Sequence, residues 1–190
     1  MNIENFKPLK DITFEDVFKK QLELEFLYEP QSKEIFDNFD IDCISDQEEF
    51  KKYCWRVTEE LCEALEALDN NEEQHVFEEL MDGFNFLIEL IGMYGFTFND
   101  LDFSNKELDT SLKMNVLDII KKIGLTANCL KNRQWRQSQY LVDLYVFEKR
   151  FKEVFNVYIN LLRKKMTDQE LIDCWLLKYQ VNLFRINTKY

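Results

Sequence analysis

Residues 45–92 read SDQEEFKKYCWRVTEELCEALEALDNNEEQHVFEELMDGFNFLIELIG, a stretch that carries two helical periods with one interruption. In the first, apolar or aromatic side chains recur at Phe50, Tyr53, Cys54, Val57, Leu61, Ala64, Leu65 and Leu68, the three-and-four spacing of an amphipathic helix. Ser45 or Asp46 ahead of Gln47-Glu48-Glu49 supplies a capping signature for its start. Asp69-Asn70-Asn71 makes the break. The second period then runs through Val76, Phe77, Leu80, Phe84, Leu87, Ile88 and Ile91 to Gly92 or Gly95. So short a connection predicts an antiparallel helical hairpin, in which residues near the break on one helix face those on the other.

The rest of the chain extends that reading. Among 190 residues there are only 4 Gly and 2 Pro, so few positions punctuate the periodic stretches and helices can run long. Further helices are predicted over 14–27 with Thr13 as N-cap, and over 111–130, 137–163 and 168–184, while 29–46 reads as irregular. The expectation is an all-α fold, a helical bundle of about five to seven helices, with residues 1–190 forming a single domain. A hydrophobic share of 46%, charged residues at 32%, 17 Phe and 8 Tyr describe an ordinary globular chain with an aromatic-rich core.

Composition also excludes function classes. The five cysteines (Cys43, Cys54, Cys62, Cys129, Cys174) are odd in number and scattered, with no CxxC pair, which disfavours a disulfide framework and a zinc site. No apolar run reaches the roughly 18 residues that span a membrane, and Met1-Asn2-Ile3-Glu4-Asn5 lacks a signal-peptide pattern, so a cytoplasmic location with no membrane partner is expected. The net charge of −12 argues against nucleic acid as a partner. An anionic ligand would have to be gripped by local cations or metal ions.

The hairpin supplies the means. Glu59-Glu60-Leu61-Cys62-Glu63 and Glu78-Glu79-Leu80-Met81-Asp82 repeat one order, acid-acid-apolar-apolar-acid, on two adjacent helices. Glu60 and Glu63, and Glu79 and Asp82, are each three apart and so project from one helix face beside the buried stripe. Four such carboxylates facing one another repel, and a hard divalent cation with oxygen ligands relieves the repulsion. Magnesium suits the set, because it takes a few carboxylates and leaves positions for water and phosphate. The alternative is a solvated acidic face. A di-iron site would need Glu-x-x-His pairs, and His75, the one histidine, follows none of these glutamates by three; it reads as a surface residue.

At the other end of the chain, Lys178, Asn182 and Arg185 are spaced four and three apart on one helical face. Two cations separated by an amide make a grip for a polyphosphate, with the amide free to bond a sugar or base. A routine basic C-terminal turn accounts for the same residues.

Together the two regions resemble the all-α nucleotide pyrophosphatase superfamily. The EExxE and ExxD pattern is shared with MazG-like enzymes and dimeric dUTPases, and Leu177-Lys178-x-x-x-Asn182-x-x-Arg185 with a closing Tyr190 is similar to the dimeric dUTPase and phage dCTPase-dUTPase branch. The resemblance implies Glu60, Glu63, Glu79 and Asp82 as metal ligands, with Lys178, Asn182, Arg185 and Tyr190 on the nucleotide and Gln21 near base and sugar. It implies a Mg2+-dependent cleavage of dUTP to dUMP and pyrophosphate, with Glu60 orienting or deprotonating the attacking water, in a homodimer. Asn85 stands where relatives commonly have histidine, and Lys189 where they often have glycine. Residues 97–165 match in helical character only.

Two other readings use the same residues. A dCTPase or a broad MazG-like dNTP pyrophosphohydrolase would differ only in the base pocket. A non-catalytic helical interaction protein would instead make use of Trp135 with Arg133 and Arg136, residue types favoured at binding hot spots.

Overall fold

In the computed structural model, residues 12–188 are described. Among them there are seven α-helices and no strand. They are α1 (Phe14–Tyr28), α2 (Ser32–Asn38), α3 (Ile44–Asp69), α4 (Glu73–Tyr94), α5 (Leu112–Ala127), α6 (Leu144–Arg163) and α7 (Asp168–Thr188), with a 3-10 turn at Phe98–Asp100.

The hairpin of α3 and α4 is the centre of the molecule. Its apolar stripes are sealed: Phe50, Val57, Leu61, Leu80, Phe84, Leu87 and Ile88 are all fully buried. Each such side chain contributes about 1.5–3 kcal/mol of transfer free energy. Asn71 supplies the positive φ of 63° that closes the turn between the helices. At the far end of α4 the stop is Gly95, with φ 86°, while Gly92 stays within the helix and packs under Leu22. Phe147, Phe151 and Phe155 bring α6 onto the hairpin, with ring centroids 5.4 Å from Phe50 to both Phe147 and Phe151. α1 lies against α4 and α7, and α5 against α3 and α6.

Gly83 decides how closely the central helices approach. A Cβ there would meet the Tyr158 hydroxyl on α6 and come within 3.3 Å of Glu60 Cβ on α3. Tyr158 Oη donates to Leu80 O at 2.8 Å, so the phenol is held in that space.

Four expectations for the elements are corrected. The segment 29–46 contains α2, because Ser32 Oγ bonds Glu29 O at 2.7 Å and starts a short turn that sequence periodicity is too brief to reveal. The sixth helix starts at Leu144 instead of 137, since Asp143 caps it by accepting from Val146 N. Ahead of it Asn132 pins an irregular loop, donating from Nδ2 to Asp42 O and Tyr140 O, both at 3.0 Å. The fifth helix correspondingly stops at Ala127, and the last continues past Phe184 to Thr188.

Candidate active site

α3 and α4 cross with their acidic motifs facing. Glu60 from α3 and Glu79 and Asp82 from α4 each offer a carboxylate oxygen, and these atoms lie within 4.8 Å of one another. Three of the four carboxylates expected to converge are thus brought together, and three oxygens so placed can hold a divalent cation. Glu63 lies one turn beyond Glu60 with its side chain exposed; it is outside that set of three, and its charge bears on Glu60.

Three acids at this separation cannot all stay ionised without a counter-charge. Burial, a hydrogen bond with Glu79 and the charges of Asp82, Glu79 and Glu63 push the Glu60 carboxyl up to about 8. Burial raises Asp82 as well, against the pull of Lys178. Lys178 on α7 forms an ion pair with Asp82 Oδ2 and donates to Glu78 O at 2.9 Å. A cluster that gathers a proton and a lysine where a cation would serve has the donor chemistry of a hard-metal site. His75, read from the sequence as a surface residue, is half-exposed, yet its Nδ1 lies 3.1 Å from Glu79 Oε1. The i, i+4 spacing of the pair was the signal for that contact.

Two clefts flank the acids. One, of about 610 Å³, is lined by Glu79, Asp82, Lys178, Asn182 and Arg185, so the cationic residues on α7 do share a face and that face looks at the carboxylates. The other, of about 460 Å³, runs along α4 from Glu60 and Asp82 past Asn85 and Phe86 to Glu89, with Gln21, Glu25 and Arg56 on its walls. Asn182 borders both, and its carbonyl accepts from Tyr28 Oη at 3.3 Å. Tyr190 lies outside the described residues.

Gln21, which the sequence by itself reads more readily as a surface polar residue of an amphipathic helix, is buried. Its Nε2 donates to Glu89 Oε1 at 2.8 Å and its Oε1 accepts from Trp175 Nε1 at 2.9 Å. Sequence reasoning missed the wall opposite. Arg56 bonds Glu29 Oε1 at 2.7 Å and lies over the Tyr53 ring at 4.7 Å and the Phe86 ring at 5.5 Å. Tyr53 donates to Glu25, itself buried. Glu25 and Glu29 belong to α1 and its C-cap, Tyr53 and Arg56 to α3 and Phe86 to α4, and only packing joins them, so no linear motif marks the set. Trp135 is highly exposed in the 131–143 loop, where Arg136 covers Tyr140 at 5.6 Å; neither Trp135 nor Arg136 lines either cleft.

An all-helical bundle with three convergent carboxylates and a lysine on their rim defines a protein that can hold a divalent cation against an anionic ligand. The chain belongs to the dUTPase family, whose model matches residues 65–190. Its class is therefore that of a dUTPase-like nucleotide pyrophosphatase, acting on a nucleotide. The match takes in Glu79, Asp82 and the α7 cations and begins beyond Glu60 and Glu63. No curated protein and no solved structure matches the chain. Among the described residues no helix is long and apolar enough to cross a membrane.

Proposed function

We propose that the protein is a magnesium-dependent dUTP pyrophosphohydrolase, releasing dUMP and pyrophosphate. The observation that carries this reading is the convergence of Glu60, Glu79 and Asp82 beside Lys178, at the meeting of two clefts. Glu60, Glu79 and Asp82 would hold the metal, with Glu63 joining from the exposed side. When bound, magnesium supplies neutralising charge at the triphosphate and an acidified water.

The chain's own groups do the rest. Lys178 exchanges Asp82 for phosphate oxygens, and Arg185 meets the same triphosphate from one to two turns further along α7. Glu60, on the opposite helix from Glu79 and Asp82, orients the attacking water and takes its proton. Asn182, on the border of the two clefts, stands where phosphates give way to the nucleoside. The α7 face carrying Leu177, Val181 and Phe184 is exposed beside this grip, and we assign it to a second copy of the chain. A cytoplasmic setting fits the reaction.

Pyrophosphate release measured with dUTP, dCTP, dTTP and dATP in magnesium tests the assignment. dUTP is expected to be turned over fastest, and equal rates on all four would remove the dUTPase reading in favour of a broad pyrophosphohydrolase. Glu79→Gln should lower turnover by about 100-fold or more while circular dichroism stays helical. Undiminished turnover in that variant would remove the metal site.

A further inference from the structure

The cleft along α4 contains two buried polar atoms that the protein leaves without partners, Asn85 Oδ1 and Glu89 Oε2. Their residues are 7% and 3% exposed, so water does not substitute freely. They sit four apart on one helix face, the next two turns beyond Asp82.

The protonation of Glu89 follows from its neighbours. An indole N–H only donates, so Trp175 fixes the Gln21 oxygen toward itself and the Gln21 amino group toward Glu89 Oε1. Oε2 then faces no donor. The charged groups around it are Glu25 from α1, Glu29 at the C-terminal cap of α1 and Arg56 from α3, with the Tyr53 hydroxyl committed to Glu25 and Arg56 bonded to Glu29. A bare carboxylate oxygen in this setting is costly, and burial with the Glu25 charge holds the Glu89 carboxyl well above the usual carboxylate range. With Oε1 accepting from Gln21, the proton belongs on Oε2, which becomes a donor. The cleft wall thus presents the free Glu89 donor and, a helical turn away, the Asn85 amide, which can turn either its oxygen or its amino group toward a ligand.

We propose that the Glu89 Oε2 hydroxyl is a specificity-determining group that reads the edge of a pyrimidine base by donating to its 4-carbonyl, with the Asn85 amide meeting N3 beside it. Uracil fits that pair, because its N3 is a donor flanked by carbonyl oxygens. Cytosine does not: its 4-amino group is a donor that would face the Glu89 hydroxyl, leaving two donors opposed and unpaired in a dry site, whichever way the Asn85 amide turns. Thymine shares the uracil edge and is admitted by these two groups. The proposal rests on the nucleotide-hydrolase reading above and concerns only how that site chooses its base.

Binding of the product nucleotides dUMP and dCMP, measured by titration calorimetry with magnesium, separates the choice of base from hydrolysis. Wild-type protein is expected to bind dUMP at least tenfold more tightly than dCMP, with dTMP following dUMP. Glu89→Gln places an amide N–H2 where the hydroxyl was, so it should keep that ratio within about threefold. Glu89→Leu removes the discriminating donor and should collapse it to near unity, whereas Asn85→Leu should weaken both nucleotides and keep the ratio within about threefold, with helicity by circular dichroism as the control on folding. Equal binding of dUMP and dCMP by the wild type, tighter binding of dCMP, or loss of the ratio in Glu89→Gln as complete as in Glu89→Leu would overturn the proposal while leaving hydrolysis in place. Binding of neither nucleotide would remove both readings.

Discussion

At single positions the molecule trades stability for geometry. Lys51 Nζ is buried on α3 with no partner, and burial together with the charge of Arg133 brings its ammonium down to about 8. The folded state therefore binds fewer protons than the unfolded chain between pH 8 and the ordinary lysine value of 10.5. Below that window the full cost is present, and it fades as pH rises through it. Lys51→Met should accordingly stabilise the protein at pH 7 by about 1–2 kcal/mol, with the gain gone above pH 10.5; urea denaturation across pH measures it. Gly83 is the opposite case, a residue whose lack of a side chain holds α3, α4 and α6 together. Gly83→Ala should cost about 1–3 kcal/mol and reduce turnover by displacing Glu60. Adding Tyr158→Phe to that variant removes the clashing oxygen, so thermal denaturation of the double mutant should show partial recovery.

Between elements, exposed charge contributes less than packing. Glu153 on α6 receives Lys122 of α5 at 2.8 Å and Lys106 of the preceding loop at 3.0 Å, and these two lysines hold its carboxyl down at about 2. A lowered acid stabilises the fold above its unfolded value of 4.5, and the contribution is lost as pH falls through about 2. The side chain is 40% exposed, so screening limits the effect. Glu153→Gln should lower stability by about 1 kcal/mol or less at pH 7, less still in high salt, with the difference from wild type shrinking below pH 4.5 when unfolding midpoints are compared. Element boundaries show where sequence was legible. The long periods of α3 and α4 were plain, because each repeats its apolar stripe over many turns. α2 and the 131–143 loop were not, because both are set by single polar side chains, Ser32 and Asn132, bonding to backbone.

For the whole molecule, the proposed second copy would sit on the α7 face, where apolar side chains are exposed among the described residues. Leu177, Val181 and Phe184 are 65%, 49% and 63% exposed and all line the cleft that carries Lys178 and Arg185. A partner seated there would cover apolar surface and close the phosphate grip in one step. Sedimentation equilibrium should therefore give twice the 23.1 kDa chain mass at micromolar concentration. Phe184→Asp should shift the mass to 23.1 kDa and lower turnover with it. A monomeric wild type with full activity would sink the assignment of that face.

Much of the site was written in the sequence, because its two halves are local. Glu60, Glu79 and Asp82 share faces with the buried stripes of their own helices, and Lys178, Asn182 and Arg185 follow one helical period, so spacing placed each group on one face while the family resemblance supplied the role of the α7 residues. What spacing could not decide is which faces meet. That Glu63 stays exposed while Glu60 turns to Asp82, that Gln21 is locked by Trp175 across 154 residues, and that Asn85 and Glu89 keep unpartnered atoms in a cleft depend on the crossing of α1, α3, α4 and α7. Helical periodicity is a property of neighbours in the chain, whereas burial and orphaned polar groups arise from contacts between residues far apart in it, and only the packed structure sets those.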